Sequence, residues 1–274
     1  MPELPEVETI VRSLRPRLTG LRIEGLKALL PSLIREKERP RFEGLAGARI
    51  TGLRRRGKMI LIDCSGGRSL LFHLKMTGRL LLCPKNTPPD KHTHLIISFR
   101  RTSRDLRFRD VRKFGFVCLI ETGRAAEAPE VSRLGPEPFD LDATGFRHLL
   151  AGRRGRIKPL LLNQNLIAGI GNIYADEILF ASGIHPQSTI ENLSRRRLLR
   201  LGEMVPLILE KAIRFKGTTV RDYRDGEGLE GAFQNHLCVY GREGLPCPRC
   251  GRAIRRIRIS GRSSFFCSRC QRRK

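Results

Sequence analysis

The chain has 274 residues and a mass of 31.1 kDa, and its 53 lysines and arginines against 27 aspartates and glutamates give a formal net charge of +26. It contains no apolar stretch long enough to cross a membrane and begins with an acidic segment, which excludes a membrane-spanning protein and a secretory signal. We expect a cytosolic protein of two domains. The charge indicates a polyanionic partner, most of all a nucleic acid; the alternative is a charged surface that only keeps the protein soluble.

The amino terminus places a proline beside a glutamate. If Met1 is removed, Pro2 becomes a secondary amine next to the Glu3 carboxylate. An α-amino group has a pKa of roughly 7.7–8.0, so part of it is neutral near physiological pH and able to attack a sugar carbon. An acidic helix start explains the same residues without chemistry, because Pro5 presets the first turn and the glutamates favour the positive end of the helix dipole. Taken alone, the pattern favours the helix start.

The amino-terminal half is predicted to be rich in β-strands. Short apolar runs separated by turn residues indicate the strands of a sandwich, at 59–62, 70–74, 95–99 and 116–120. Segment 124–140 is rich in Ala, Glu and Pro and has no long apolar run. We therefore expect it to connect the sandwich to a second domain.

Beyond this connection the apolar spacing becomes helical. It predicts helices over 144–153, 158–167, 172–182 and 191–215. At one junction, Gly169 and Gly171 permit a turn into a helix that we expect Asn172 to cap. Free N–H groups at such a helix start can bind a phosphate, but an ordinary cap explains the pattern equally well.

The eight cysteines form two groups. Four are scattered in apolar runs and are predicted to be buried small hydrophobic residues: Cys64, Cys83, Cys118 and Cys238. The other four form two C-x2-C pairs near the carboxyl terminus: Cys247, Cys250, Cys267 and Cys270. This spacing predicts one structural zinc ion, and disulfides, which a reducing cytosol disfavours, are the alternative.

The residues between the two cysteine pairs alternate in the manner of a β-hairpin. Segment 253–259 is followed by a turn and then by Phe265 and Phe266. Arg262 is predicted to lie at the tip of this hairpin, where a metal-held arginine can be aimed at a phosphate. A mobile, exposed arginine is the alternative.

In order and spacing, motifs along nearly the whole chain resemble those of the formamidopyrimidine-DNA glycosylase family. They lie at 2–9, 73–78, 110–115, 134–138, 169–175, 216–223, 233–234 and 239–242 and in the cysteine quartet. The resemblance implies a two-domain α+β fold: an N-terminal β-sandwich with an N-terminal helix, and a C-terminal helix-two-turn-helix domain with a zinc-bound β-hairpin. It implies domains at 1–130, 131–235 and 236–274, with a loop at 216–231 that closes over a damaged purine.

The activity that the resemblance implies is base excision repair by a bifunctional DNA glycosylase and AP lyase. The substrate is double-stranded DNA that contains oxidised purines, chiefly 8-oxoguanine and formamidopyrimidines, or abasic sites. By this resemblance Pro2 forms a Schiff base with the sugar and Glu3 donates a proton, after which the strand is cut by β- and δ-elimination. Lys58 serves the β-elimination, and Arg262 binds a phosphate and serves the δ-elimination. A monomer in the cytoplasm, associated with the nucleoid, is expected.

The resemblance also implies residues that contact DNA. Met76, Arg112 and Phe114, which we call the filling set, match residues that occupy the space left by an extruded nucleotide. Further DNA contacts are expected from His73, His92, Arg154 and Asn172. The neighbouring Arg153 is the alternative to Arg154.

Two other hypotheses stay open on the sequence alone. A relative of the endonuclease VIII type would share the fold and the terminal proline but prefer oxidised pyrimidines; Leu4, the filling set and the long 216–231 loop favour the purine enzyme. A non-catalytic zinc-ribbon DNA-binding protein would need neither Pro2 nor Glu3. Departures from the expected pattern, at Lys75, Asn163 and Ser268, leave the preferred lesion open.

Overall fold

The computed structural model describes residues 2–34, 39–220 and 223–273, which form two compact units. Unit 1 comprises Met1–Ser132 and Lys216–Ala232, and unit 2 comprises Arg133–Phe215 and Phe233–Lys274. The division at residues 130 and 235 stays a prediction about domains. The compact units divide the chain differently, because 216–232 packs with unit 1 and the cysteine-bearing hairpin packs with the helices of unit 2.

Unit 1 begins with helix α1 (Leu4–Leu18). Glu3 is extended at the N-cap position, and its N–H donates to the Glu6 carboxylate at 2.8 Å. Pro5 is the second helical residue, where its missing N–H costs no hydrogen bond. The apolar side chains repeat at helical spacing and are buried against the strands. The predicted helix start is confirmed.

Eight antiparallel strands follow in the described part of unit 1. They are β1 (Ile23–Ala28), β2 (Ile50–Arg56), β3 (Met59–Cys64), β4 (Arg68–His73), β5 (Gly78–Pro84), β6 (Thr93–Phe99), β7 (Arg104–Asp110) and β8 (Phe116–Glu121). One sheet has the order β1-β6-β7-β5 and the other β2-β3-β4-β8. Short helices α2 (Arg39–Glu43) and α3 (Pro129–Ser132) complete the unit.

The apolar faces of the two sheets form the core of unit 1. The rings of Phe72 on β4 and Phe108 on β7 lie 5.9 Å apart between centroids, and both are buried. This arrangement confirms the predicted sandwich. Strands β1, β2, β5 and β7 were not predicted individually. In β7 the apolar Leu106 and Phe108 alternate with charged residues, so an apolar run is absent although every second side chain reaches the core.

Unit 2 contains helices α4 (Ala143–Leu150), α5 (Ile157–Leu162), α6 (Asn172–Ala181) and α7 (Arg195–Arg214). All four predicted helices exist, but α5 ends at Leu162 and not at 167, and α7 begins at Arg195 and not at 191. Leu166 and Ile167 are buried from a turn, so their apolar spacing imitates a longer helix. Helices α4 and α7 approach closely because Gly202 has no side chain; a Cβ there would lie 2.8 Å from the Ala143 Cα.

A hairpin of β9 (Arg255–Ile259) and β10 (Arg262–Phe266) ends the chain's regular structure. Ser260 and Gly261 form the two-residue turn with φ angles of 46° and 78°, as the tight hairpin turn with two left-handed residues requires. The predicted hairpin is confirmed, and Arg262 is its first residue after the turn, opposite Ile259.

Two further predictions are tested by the fold. Of the scattered cysteines, Cys64 is buried, whereas Cys83, Cys118 and Cys238 are only partly buried. Segment 124–140 contains helix α3 and short 3₁₀ turns but no longer element, as expected of a connection. None of the helices in the described part of the chain combines the length and apolarity needed to cross a bilayer.

Candidate active site and nucleic-acid-binding residues

Two contacts fix the direction in which helix α1 lies on strand β2. The Arg15 Nε–H donates to the Leu53 carbonyl at 2.9 Å, and the Arg55 Nε–H donates to the Glu8 carboxylate at 3.1 Å. The step from Arg15 to Glu8 runs toward the amino terminus of α1, and the step from Leu53 to Arg55 runs toward the carboxyl end of β2. The start of α1 and the turn after β2 therefore lie at the same end of unit 1.

That end of unit 1, which we call the catalytic end, holds three of the predicted catalytic residues. Pro2 and Glu3 precede the first turn of α1, and Lys58 lies in the two-residue turn between β2 and β3. Pro2 is buried, Glu3 exposes 2% of its surface and Lys58 exposes 8%. Two buried charged side chains, Glu3 and Lys58, thus lie at one end of the fold, which is typical of a reaction site.

His73 lies beside this group. It is the last residue of β4 and pairs with Met59, the residue after Lys58. Burial, helped by the charges of Lys75 and Lys58, lowers the pKa of His73 to about 3, so the ring is neutral near physiological pH. Its Nδ1 accepts a hydrogen bond from the Lys75 N–H at 3.0 Å. The Nε2–H is then a donor that can bind a phosphate.

The filling set forms one exposed cluster on two loops of unit 1. Met76 exposes 43% of its surface and Phe114 exposes 54%. The Arg112 Nη1 lies 3.0 Å from the Met76 Sδ, and its guanidinium carbon lies 4.7 Å from the Phe114 ring centroid. An arginine held between two exposed apolar side chains can enter a base stack and hydrogen-bond an unpaired base.

A buried aspartate that we did not predict joins these two loops. The Asp110 carboxylate accepts hydrogen bonds from the Gly115 N–H at 2.7 Å, from the Arg112 N–H at 3.1 Å and from the Thr77 hydroxyl. Thr77 follows Met76, so one carboxylate sets the position of the whole filling set. The signal in the sequence was its place as the first residue of the 110–115 motif, which gave no role to Asp110 itself.

Backbone conformation adds to this organisation. Lys75 and Lys113, next to Met76 and Phe114, have φ angles of 50° and 58°, a left-handed conformation that costs a non-glycine residue about 1–3 kcal/mol. Gly115 cannot be replaced without movement, because a Cβ would lie 2.6 Å from the Phe108 Cζ. The loops are therefore held in conformations that their own residues do not favour.

His92 lies near the same loops. Its carbonyl accepts a hydrogen bond from the Asp110 N–H at 2.9 Å, and its N–H donates to the Asp90 carboxylate at 3.3 Å. The residue is half-buried in the turn directly before β6. The structure thus places His92 next to the buried aspartate that positions the filling set.

Segment 216–232 is tied to helix α1. The Thr218 N–H donates to the Glu6 carboxylate at 2.7 Å, and the Gly226 N–H donates to the Ser13 hydroxyl at 3.1 Å. Because Glu6 also accepts the Glu3 N–H, this carboxylate links the segment directly to the residue beside Pro2. Within the predicted loop 216–231, residues 221 and 222 lie outside the described residues.

Gly217 has a structural reason to be glycine. Its φ angle is 78°, and a Cβ there would lie 2.7 Å from the Glu6 Oε1. A side chain would therefore displace the carboxylate that holds Thr218. Gly228 has a similar φ of 87° but open space around it.

In unit 2 the predicted role of Asn172 as a helix cap is wrong. Gly171 holds the N-cap position in an extended conformation, and Asn172 is the first residue of α6. The Asn172 Nδ2–H donates instead to the Ser263 carbonyl at 3.0 Å. The side chain is used to connect α6 to strand β10, immediately after Arg262.

A buried ion pair, also missed from the sequence, holds the same strand. The Lys158 Nζ lies 2.7 Å from the Asp176 carboxylate, and both side chains are almost completely buried. Lys158 also donates to the Ser263 carbonyl and the Ser264 hydroxyl, at 3.0 and 2.8 Å, while Asp176 accepts the Phe265 N–H at 3.0 Å. Helices α5 and α6 thus fix strand β10 of the hairpin. The only signal in the sequence was a charge inside each apolar helical run.

Arg262 and Arg154 are both exposed. Within the described part of unit 2, neither guanidinium has a hydrogen-bond partner. The Arg153 side chain, by contrast, donates to the Leu149 carbonyl at 3.1 Å. This difference favours Arg154 over its neighbour as the arginine available to a ligand.

The cysteine quartet forms a metal-binding cluster. Its four Sγ atoms lie within 4.8 Å of one another, with 3.5 Å between Cys250 and Cys267 and 3.9 Å between Cys247 and Cys270. Four sulfurs bound tetrahedrally at about 2.3 Å from zinc are about 3.8 Å apart, so the geometry fits. All four cysteines are free thiols. The set fits one structural zinc ion, because sulfur fills every position and none stays open for catalysis.

The fold and these residues define a DNA-repair glycosylase with an amino-terminal β-sandwich, a helical unit and a zinc finger. Residues 1–117 match the family model of the formamidopyrimidine-DNA glycosylase N-terminal domain, and residues 134–224 match that of its H2TH domain. Residues 244–273 match the zinc finger found in FPG and IleRS. The chain belongs to the formamidopyrimidine-DNA glycosylase family, and it is a glycosylase of base excision repair.

Similar proteins cover the full length. The formamidopyrimidine-DNA glycosylase of Desulforamulus reducens is 45% identical over 278 aligned residues, with 100% of both chains covered. That of Moorella thermoacetica is 47% identical over 94% of this chain and 95% of its own.

Solved structures agree. A variant of the Lactococcus lactis FPG in complex with Fapy-dG containing DNA matches with a TM-score of 0.93 and 37% identity, over 99% of this chain and 100% of that one. The complex of the same protein with abasic-site DNA has a TM-score of 0.92, also at 37% identity and with the same coverage.

Proposed function

We propose that this chain excises oxidised purines from double-stranded DNA, namely 8-oxoguanine and formamidopyrimidines, and then cuts the strand as an AP lyase. The observation that carries the proposal is the catalytic end of unit 1, at which α1 begins with Pro2 and Glu3 and the β2–β3 turn holds Lys58. An amine, a carboxyl group and an ammonium group from two elements are the groups that imine formation and elimination need.

Removal of Met1 frees the Pro2 nitrogen, which in the first step attacks the anomeric carbon C1′ of the damaged nucleotide. Glu3 gives a proton to the ring oxygen O4′, and the C1′–O4′ bond opens as the N–C1′ bond forms. The Pro2 nitrogen then loses its proton, and its lone pair expels the base, which takes up a proton as it leaves. The product is an iminium ion that joins Pro2 to the opened sugar.

The iminium ion makes the neighbouring C2′ proton acidic. Loss of this proton expels the 3′ phosphate in the β-elimination, which we assign to Lys58. Loss of a second proton expels the 5′ phosphate in the δ-elimination, which we assign to Arg262. Zinc supplies no chemistry here; when bound it would hold the two cysteine pairs together. Strand β10 is supported by hydrogen bonds that Asn172 and Lys158 donate and that Asp176 accepts.

Base chemistry inside a duplex requires extrusion of the nucleotide, at a cost of a few kcal/mol. We assign the filling set to the vacated space. The neutral His73 ring, His92, Arg154 and Asn172 are assigned to the DNA backbone. Segment 216–231 is proposed to close over the extruded base. We propose domains at 1–130, 131–235 and 236–274 and expect one monomer to act on one lesion.

The lesion class follows the purine side of the family. A similar Lactococcus lactis protein has been captured with Fapy-dG containing DNA and with abasic-site DNA. The same protein has also been captured with DNA that contains an oxidised pyrimidine, at a TM-score of 0.91. We therefore expect DNA with an oxidised pyrimidine to bind as well, but the oxidised pyrimidine to be excised more slowly than 8-oxoguanine.

The proposal is tested by borohydride trapping. The purified, untagged protein is incubated with a duplex that carries one 8-oxoguanine opposite cytosine, and borohydride is added to reduce the iminium ion. We expect a covalent adduct whose modified peptide begins at Pro2, and none on undamaged DNA. An amino-terminal tag that blocks Pro2 is the matched control and should abolish the adduct.

The other outcomes distinguish the alternatives. An adduct with an oxidised pyrimidine but none with 8-oxoguanine would place the activity with the endonuclease VIII type. Binding of lesion DNA with no adduct on any lesion would leave a non-catalytic DNA binder. An adduct on a lysine would refute the assignment of Pro2 while keeping the lyase chemistry.

A further inference from the structure

Unit 1 carries an arginine-lined pocket away from its catalytic end. The pocket has a volume of about 390 Å³ and is lined by Gly20, Leu21, Arg22, Arg49, Arg100 and Arg101. Gly20 follows the end of α1, whose 15 residues make it about 22 Å long, whereas Pro2 precedes its start. Strand β2 likewise separates Arg49 from Lys58. The pocket therefore lies at the opposite end of both elements.

Backbone pairing brings three of these arginines together from distant parts of the sequence. Arg22 and Arg49 face each other in an antiparallel bridge. The Arg100 N–H donates to the Arg22 carbonyl at 2.9 Å, next to the pairing of Ile23 with Phe99. The three residues thus sit side by side across three adjacent segments. Because paired residues point to the same face of a sheet, their guanidinium groups share one surface.

This placement is electrostatically unfavourable for the protein alone. Like charges directly opposite each other in paired strands are destabilising. Arg101 adds a fourth charge, and it does so from a left-handed conformation with φ of 57° that a non-glycine residue rarely adopts. A bound anion would remove the repulsion, so the cluster is arranged as a binding site for negative charge.

The arginines of the pocket form no ion pair with a carboxylate of the described residues. Among the ion pairs formed by the described residues, none involves Arg22, Arg49, Arg100 or Arg101. The Arg22 side chain donates to the Gly47 carbonyl at 3.2 Å, which fixes its direction without using its charge. The nearby Glu24 feels the charge of Arg100 but is bound to the Lys85 Nζ at 2.8 Å.

The positive surface extends beyond one pocket. A second concavity of about 410 Å³ shares Leu21 with the first and adds Arg104 and Arg17, the latter paired with Glu227. One phosphate would fill only part of such a tract. A chain of phosphates, in contrast, can contact successive arginines along it.

We propose that this arginine tract, defined by the residues at positions 17, 22, 49, 100, 101 and 104, binds the backbone of a second, undamaged DNA segment while the catalytic end holds the lesion. The inference rests on the proposed function, because an enzyme bound to a lesion in DNA is surrounded by undamaged segments of the same DNA. Two simultaneous contacts would let the protein pass between segments without full release, since each tethered contact raises the effective concentration of the other.

The test uses the full-length protein, saturated with a short duplex that carries an uncleavable abasic analogue. A fluorescent, undamaged duplex is then added, and its anisotropy is followed at several salt concentrations. We expect it to bind to the preformed complex. In a variant with Arg22→Gln, Arg49→Gln, Arg100→Gln and Arg101→Gln, the affinity for the second duplex should fall by about tenfold or more. The log–log salt slope should become shallower by about 0.9 for each phosphate that the variant no longer neutralises.

Matched controls separate this site from general charge. A variant with Arg133→Gln, Arg195→Gln, Arg196→Gln and Arg214→Gln loses the same charge from exposed arginines of unit 2 and should still bind the second duplex. A variant that carries lysine at the four pocket positions keeps the charge and should retain most of the affinity for the second duplex. This result would show that lost charge, and not the loss of the arginine side chains from the fold, weakens binding in the glutamine variant. Both four-residue glutamine variants should cleave lesion DNA at the parental rate.

Three results would overturn the proposal. One is the absence of any second duplex on the loaded protein. Another is equal binding by the two glutamine variants. The third is binding of inorganic phosphate in the pocket, detected by isothermal titration, without binding of DNA, because this would show a small-anion site. Loss of lesion binding itself would concern the catalytic end and not the tract.

Discussion

Arg55 on strand β2 and Glu8 on helix α1 are joined by a hydrogen-bonded ion pair of 3.1 Å, and Arg55 is almost completely buried. The Arg55 Nη1 also donates to the Gly57 carbonyl at 3.0 Å, next to Lys58. One guanidinium therefore ties the helix that begins at Pro2 to the turn that holds the proposed lyase lysine. The catalytic end depends on this contact for its alignment.

The variant Arg55→Gln should lower the free energy of unfolding by about 1–3 kcal/mol, because it leaves Glu8 without its cross-element partner and removes two part-buried hydrogen bonds. It should also slow formation of the borohydride-trapped adduct. Arg12→Gln is the matched control, since Arg12 binds the same carboxylate from an exposed position on the helix. It should cost less than about 0.5 kcal/mol. Equal losses of unfolding free energy in the two variants, measured by urea unfolding, would contradict the role of Arg55 in aligning α1 with the β2–β3 turn.

The stability that the Arg55–Glu8 pair contributes depends on pH. Burial opposes ionisation of Glu8, but hydrogen bonds and charges from Arg12 and Arg55 outweigh it, so its pKa lies below the usual 4.5. A lowered pKa in the folded state contributes stability above the unfolded value and loses it as the pH falls through the folded value. The stability difference between the parent and Arg55→Gln should be constant near neutral pH and shrink below 4.5, as urea unfolding across this range would show.

Glu3→Gln should slow release of 8-oxoguanine by about 10²–10⁴-fold, the usual contribution of a positioned general acid. Affinity for the lesion duplex should be nearly unchanged, because the amide has the same shape. Single-turnover kinetics separate the two quantities. A duplex with a preformed abasic site is the internal control, since no base has to leave, and its cleavage should suffer less. A large loss of affinity with little loss of rate would argue that Glu3 binds DNA and does not transfer a proton.

Gly217→Ala tests the link between the 216–232 segment and α1. The new Cβ would lie 2.7 Å from the Glu6 Oε1, so the hydrogen bond to Thr218 should break and the segment should loosen. Gly228→Ala, with a similar positive φ but open space, is the control for backbone strain alone, which costs about 1 kcal/mol. We expect faster amide exchange over 216–220 and slower 8-oxoguanine excision only for Gly217→Ala. Similar behaviour of the two variants would show that strain, and not the Glu6 contact, matters.

Asp110→Asn should weaken binding of lesion DNA by disordering the filling set. An amide cannot accept from the Gly115 N–H, the Arg112 N–H and the Thr77 hydroxyl at once, so we expect a loss of about 1–3 kcal/mol of stability. Asp90→Asn alters an exposed carboxylate paired with Arg109 and should change stability by less than about 1 kcal/mol. Calorimetric unfolding and a lesion-duplex titration measure the two effects. Unaltered affinity in Asp110→Asn would show that the filling set keeps its position without it.

Cys250→Ser should remove zinc and disable strand cleavage, because the hairpin would lose the metal that joins its two ends. Cys238→Ser is the control, as this cysteine lies outside the quartet and should leave the metal content at one ion per chain. Atomic absorption gives the zinc content, and gel analysis gives the cleavage products. Full cleavage by a zinc-free protein would contradict the role of the hairpin.

Local patterns were enough to predict much of the molecule. The spacing of the cysteine quartet predicted the zinc site, because a C-x2-C pair sets two ligands by short-range geometry. Alternation predicted the hairpin, and apolar runs predicted four strands and the sandwich. The Pro2–Glu3 pair was ambiguous by itself and acquired a functional meaning only through the resemblance of motifs along the rest of the chain. The family models confirm the family, and the roles of Pro2 and Glu3 stay predictions.

Tertiary structure alone decided the features that join residues far apart in the chain. Asn172 reaches Ser263 because helix α6 packs on strand β10, and Thr218 reaches Glu6 because segment 216–232 packs on α1. Neither contact has a periodic signature, so the local pattern assigned Asn172 to a cap and gave no sign that the segment contacts α1. The arginine tract is of the same kind, since its charges converge only when three strand ends pair. Sequence determines local conformation and ligand type, whereas the partners of each buried polar group depend on how the elements pack.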